Sequence, residues 1–74
     1  MQLQHIGSNM TEVTTDTLRV LFSYSTPVAA YSLTAGQFYK TSRKWSVTTT
    51  KHINKWLDGA GALEQPQEFF EALL

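Results

Sequence analysis

The chain has 74 residues, 42% of them apolar and 12% aromatic, which reads as one small folded domain spanning 1–74 rather than a disordered segment. It has no cysteine, so disulfides and thiolate metal sites are excluded, and its two histidines alone make a poor zinc cage. Six bases and six acids cancel to a formal net charge of +0. No apolar run approaches a membrane-spanning length and no signal-peptide core opens the chain, so a soluble, intracellular domain is expected.

In chain order, Leu3, His5 and Ile6 suit a short strand, with Gly7-Ser8-Asn9 as the turn into a second. Thr11, Val13, Thr14 and Thr15 favour extended backbone through β-branching. Leu18 to Tyr24 is the clearest strand. Leu18, Val20, Phe22 and Tyr24 alternate onto one face, and Leu21 on the other predicts a sheet covered on both sides. Ser25-Thr26-Pro27 breaks the run, because proline cannot donate to a ladder. Val28 to Leu33 resumes it, and the small Ala29 and Ala30 permit close approach of a helix. Gly36 supplies the turn into Phe38-Tyr39-Lys40.

The period then changes. Thr49, Ile53, Trp56 and Leu57 fall on one face of a helix over 46–58, with Ser46 or Thr48 as N-cap and Gly59 as the stop. A second helix is expected over 64–74, with Pro66 in its first turn and Glu64 and Glu68 near its positive end. The predicted architecture is α+β: an antiparallel β-meander of three to four strands over about 1–40, then two short helices.

Charge is segregated although its total is zero. Residues 40–55 hold Lys40, Arg43, Lys44, Lys51 and Lys55 with no acid, whereas residues 56–74 hold Asp58, Glu64, Glu68 and Glu71 with no base. Either the acidic end folds back on the basic segment, or the basic segment is free for an anionic partner. Nothing in the chain has the spacing of a serine elbow or a phosphate loop, and no carboxylate pair stands out. A non-enzymatic protein without catalytic residue, metal or cofactor is therefore expected.

The basic segment combines the ingredients that hold phosphate. Lys40, Arg43, Lys44, Lys51 and Lys55 bring charge, Thr41 and Thr48 bring hydroxyls, and the start of the helix brings free amides. Trp45 offers a stacking face and His52 a further donor. Each also has a plainer reading: Trp45 and Trp56 as packing, Lys51 and Lys55 as a solvated helix face, Thr48 to Thr50 as a cap. Phe69, Phe70, Leu73 and Leu74 give the C-terminal helix a greasy side that covers the sheet, meets a second copy in a homodimer, or meets a host protein.

The stretches Tyr24-Ser25-Thr26-Pro27-Val28-Ala29 and Thr49-Thr50-Lys51-His52-Ile53-Asn54-Lys55-Trp56-Leu57, within a likeness over about residues 9–59, resemble a family of small proteins of unknown function encoded mainly by bacteriophages and mobile elements. The resemblance implies a phage-type accessory protein acting in the bacterial cytoplasm and transfers no catalytic residue. Two functions follow as expectations. One is a binder of nucleic acid or a nucleotide signal, sequestering it against host defence. The other is a module that inhibits or redirects a host protein.

Overall fold

The computed structural model describes residues 2–73. The elements in order are β1 (Gln2–Gly7), β2 (Met10–Thr14), β3 (Leu18–Ser23), β4 (Thr26–Ser32), β5 (Gln37–Thr41), α1 (Val47–Leu57), β6 (Ala62–Gln65) and α2 (Gln67–Glu71). They form one six-stranded sheet in the order β1-β2-β3-β4-β5-β6. The first five strands are antiparallel neighbours, and β6 lies parallel to β5 at the edge. The fold is α+β, but the expected three-to-four-strand meander is corrected to a mixed six-stranded sheet. The chain stretch expected to begin the last helix is instead β6.

Local chemistry explains most of this. Gly36 takes φ +64 in the β4–β5 turn, a conformation that L side chains rarely adopt. Pro27 does not delay β4 to Val28 as expected. Register slips between Leu21↔Ala29 and Phe22↔Pro27, so Val28 is the extra residue of a bulge and the proline sits where the ladder is already interrupted. Pro66 favours extended backbone at Gln65 before it, which keeps 62–65 out of a helix. Four residues bounded by Gly61 and that proline then have room only for a strand.

The two helices lie on opposite faces. Ile53 and Leu57 of α1 close over Met10, Leu21, Val28 and Ala29, with Phe38, Trp56 and Ala62 alongside. Phe70 of α2 closes over Val20 and Ala30, flanked by Leu18, Phe22, Tyr39, Phe69 and Leu73. Val20 and Leu21 are both fully buried, as a strand covered on both sides requires. The adjacent alanines divide the work: Ala29 lies under α1 and Ala30 under α2.

Hydrogen bonds fasten each helix. Ser46 caps α1 by accepting from the Thr49 amide, and Asp58 ends it in the left-handed region. Trp56 Nε1 donates to Glu12 Oε1 at 2.9 Å, fixing the end of α1 to β2. Within α2, Gln67 is 5% exposed. Its Oε1 accepts from Thr41 Oγ1 at 2.8 Å and from Trp45 Nε1 at 3.3 Å, while Nε2 donates to the Pro27 carbonyl at 2.7 Å. One side chain thereby ties β4, β5 and the 42–46 loop to the C-terminal helix.

Candidate functional site

α1 makes its principal sheet contact with β3, so the same sheet face is less fully covered toward the β5–β6 edge. The result is a cleft of about 390 Å³ between α1 and that sheet edge. Its size falls within the range of small-ligand sites. One end is built by the loop after β5, with Ser42, Arg43, Lys44 and Trp45, and by Val47 and Thr50 in the first turns of α1. Ile53 and Asn54 further along the helix complete its α1 wall, and Lys40 and Glu64, paired on neighbouring strands one step before Thr41 and Gln65, line the sheet side.

The loop is held in place by short-range contacts. Thr41 Oγ1, while donating to Gln67, also accepts from the Arg43 amide at 3.2 Å. The Arg43 guanidinium lies 4.8 Å from the centroid of the Trp45 ring. Such stacking contributes about 0.5–1 kcal/mol at exposed positions and holds the cation in a defined place. The N–H of Trp45 is anchored to Gln67 while its ring carries the arginine, and the residue as a whole is 37% exposed.

The start of α1 adds a directional element. The Thr50 amide makes the first intrahelical bond, to the Ser46 carbonyl, and the Thr49 amide is taken by the Ser46 cap. The Val47 and Thr48 amides precede that ladder and have no intrahelical acceptor. With the helix dipole, they favour negative charge at the loop end of the cleft.

The expected binding residues divide into two groups. Lys40, Thr41, Arg43, Lys44 and Trp45 meet around the cleft. Thr48, Lys51, His52 and Lys55 are not in its wall. The reason is helical geometry: at about 100° per residue, Val47, Thr50 and Asn54 share a flank, whereas Thr48 and His52 lie on another. Lys51 and Lys55 are exposed on α1. His52 is half-buried, its Nδ1 is 2.8 Å from Ser23 Oγ, and its ring lies 5.9 Å from Tyr24.

Ser23 is 2% exposed, and its hydroxyl also meets Thr49 Oγ1 at 3.0 Å. This serine–histidine contact fastens α1 to β3 and places no open nucleophile at the surface. Among the greasy C-terminal residues, Phe70 is 1% exposed and belongs to the core of its own chain, covering the sheet. Phe69 and Leu73 pack beside it, and Leu74 lies outside the described residues.

Glu64 is the functional candidate that sequence reading missed. The expected helix over 64–74 separates it from Lys40. In the parallel β5–β6 pair it is that lysine's register partner, and it is the one carboxylate among the residues lining the cleft. The usable signal was Pro66, which makes a helix running through residue 65 unfavourable. Glu68 and Glu71 belong to α2, whose core contacts are on the opposite sheet face.

Among the described residues no helix is long and apolar enough to cross a membrane, and no group of three or more His, Asp or Glu is placed to hold a metal ion. No curated protein and no solved structure matches the chain. A family model does match, over residues 1–72, and the chain therefore belongs to the Family of unknown function (DUF8033).

Proposed function

We propose that the protein is a non-enzymatic binder of a small phosphate-bearing ligand of the nucleotide class, held in the cleft between α1 and the β5–β6 edge. The observation that carries this reading is the convergence of Lys40, Arg43 and Lys44 with the Ser42 and Thr50 hydroxyls around one concavity beside the start of α1. Charge-assisted bonds from such groups are the strongest available to a phosphate oxygen.

A pocketed ligand is favoured over a polymer by the charge distribution. Only three cations meet in the cleft, and the whole chain is neutral. A nucleic-acid footprint ordinarily recruits more bases along an extended face. Sequestration of a nucleotide messenger, by a phage or mobile-element product in the cytoplasm of its bacterial host, is the biological role we attach to this reading. The resemblance of residues 9–59 to phage-borne proteins supports that role.

Calorimetric titration with inorganic phosphate, nucleoside monophosphates and a single-stranded oligonucleotide tests the proposal. A saturable nucleotide signal is expected, abolished by Arg43→Glu with Lys44→Glu and little changed by Lys51→Glu with Lys55→Glu. Equal loss from both pairs, together with a steep salt dependence for the oligonucleotide, would instead indicate a polyanion surface.

A second reading rests on a separate feature. On the α2 face, Leu3, Thr11, Val13, Phe22, Tyr24 and Ser25 line an apolar cleft of about 260 Å³ next to the open β1 edge. β1 carries neither charge nor proline, the usual protections of an edge strand. A host protein strand pairing with β1 and inserting an apolar side chain would make the protein an interaction module. Leu3→Lys is expected to abolish capture of such a partner from nuclease-treated lysate, and unchanged capture would exclude this edge.

A further inference from the structure

Glu64 is the one carboxylate among the residues lining a cleft otherwise furnished for an anion, and its charge weakens the binding of bare phosphate. The backbone sets its position. Lys40 and Glu64 are register partners in the parallel β5–β6 pair, followed by Thr41 and Gln65. Phe38 and Ala62, two residues earlier on each strand, pack against the α1 core, so Lys40 and Glu64 project from that same sheet face into the cleft. The Ser42 amide then donates to the Gln65 carbonyl at 2.9 Å, which holds the start of the cationic loop against the end of β6. Glu64 therefore stands one residue, about 3.3 Å of strand, before the point where the loop of Arg43 and Lys44 leaves the sheet. A carboxylate this close to a phosphate cradle is adjacent to whatever the phosphate is joined to.

In a nucleoside 5′-monophosphate the sugar is joined to the phosphate, and the base lies beyond it. A ribose carries neighbouring hydroxyls at C2′ and C3′, each a hydrogen-bond donor. An ionised carboxylate accepts through two oxygens side by side and donates nothing. The two edges match as a bidentate pair, and acidic side chains hold the ribose 2′-hydroxyl in dinucleotide-binding folds by the same chemistry. The match is specific to ribose, because a 2′-deoxy sugar has lost one of the two donors. Lys40, beside Glu64 on β5, offsets the repulsion between the carboxylate and a nearby phosphate.

Resting on the nucleotide-binding reading above, we infer that Glu64 accepts hydrogen bonds from the ribose 2′- and 3′-hydroxyls of the bound nucleotide, so that the cleft selects ribonucleotides over 2′-deoxyribonucleotides. Glu64 is a specificity residue here. It reads the sugar, whereas Arg43 and Lys44 hold the phosphate whichever sugar is attached.

The test is calorimetric titration of the full chain with AMP, GMP, CMP and UMP, each against its 2′-deoxy counterpart, and with inorganic phosphate, at one salt concentration. It is repeated on Glu64→Ala and Glu64→Gln. In the parent each ribonucleotide that binds is expected to do so about tenfold more tightly than its 2′-deoxy form, the effect of one hydrogen bond to a charged acceptor. E64A should bring the two forms level while binding inorganic phosphate no more weakly, because a negative charge has gone. E64Q keeps one acceptor and should retain part of the preference, whereas a role through charge alone gives the same result in both variants. Residue 64 is exposed, and thermal melting of both variants should match the parent, which separates lost recognition from lost folding. Equal binding of ribo- and deoxynucleotides by the parent would overturn the ribose assignment and leave the phosphate reading standing. A ribonucleotide preference that survives intact in E64A would overturn the role given to Glu64. No binding of any nucleotide or of inorganic phosphate would remove both the ribose assignment and the reading beneath it.

Discussion

Replacing Gln67 with methionine keeps the volume of the side chain but deletes an amide that makes three hydrogen bonds. The consequences differ among its partners. Thr41 is 7% exposed and lies beneath α2, so its hydroxyl loses its acceptor where water has little access. The Pro27 carbonyl, bonded at 2.7 Å, is part-buried and also loses its donor. Trp45 is 37% exposed, so its indole N–H can turn to solvent at small cost. Two stranded groups at about 1–3 kcal/mol each give an expected loss of roughly 2–6 kcal/mol. A domain of this length holds roughly 4–11 kcal/mol in total, so a substantial share of its stability depends on one exposed-looking polar letter. At about 4–8 °C per kcal/mol, Tm should fall by about 8 °C or more. Urea unfolding monitored by tryptophan fluorescence measures the loss directly. Thr41→Val supplies a milder perturbation, and the double variant should be less destabilised than the two single losses added, because no hydroxyl is then left stranded. A Q67M protein that melts within about 3 °C of the parent, well below the shift expected from the size scaling, would refute the account of Gln67 as a buried tie.

Two further perturbations probe the remaining attachments. Phe70→Ala should cost about 3–5 kcal/mol in urea unfolding, since the ring is 1% exposed over Val20 and Ala30; a change in oligomeric state at unchanged stability would return that ring to an interface. Ser23→Ala should cost about 1–3 kcal/mol by stranding its partners Thr49 and His52, and Ser23→Ala with Thr49→Val should cost less than the sum of the two single losses. Strictly additive losses in equilibrium unfolding would show that the two hydroxyls do not act as a unit.

What could be read in advance follows from how local each signal is. The alternation through Leu18–Phe22 and the spacing of Thr49, Ile53 and Leu57 are set within a few residues, and both elements form where those patterns place them. Leu21, an apolar residue on the second face of its strand, announced a sheet covered on both sides. β6 was illegible for the opposite reason. Ala62-Leu63-Glu64-Gln65 is composed of good helix formers and shows no alternation of burial, so its strand state comes from parallel pairing with β5 across the length of α1. The site inherited that difference. The cations contributed by β5 and the adjoining loop were visible as a run, while Glu64 enters only through the non-local pair. Lys51, His52 and Lys55 were joined to the others by proximity in sequence, and the helical turn then directs them elsewhere.

The placement of Gln67 changes what the C-terminal segment is for. Its apolar residues pack on the face opposite the cleft, which by itself would make α2 a cover for the sheet. Its glutamine, however, holds both Thr41 and Trp45, the residues that bracket the cationic loop. The geometry of Arg43 depends in turn on Trp45, whose ring it stacks against, and its backbone amide depends on Thr41. Removing the tie therefore frees the loop as well as destabilising the fold. A ligand that needs Arg43 and Lys44 in fixed positions must then meet the ordering cost of that loop on binding, which costs about 0.5–1.5 kcal/mol for each side chain immobilised. Q67M should consequently weaken nucleotide binding severalfold even at temperatures where it is fully folded, whereas Ser23→Ala, which loosens the far side of α1, should lower stability with little effect on affinity.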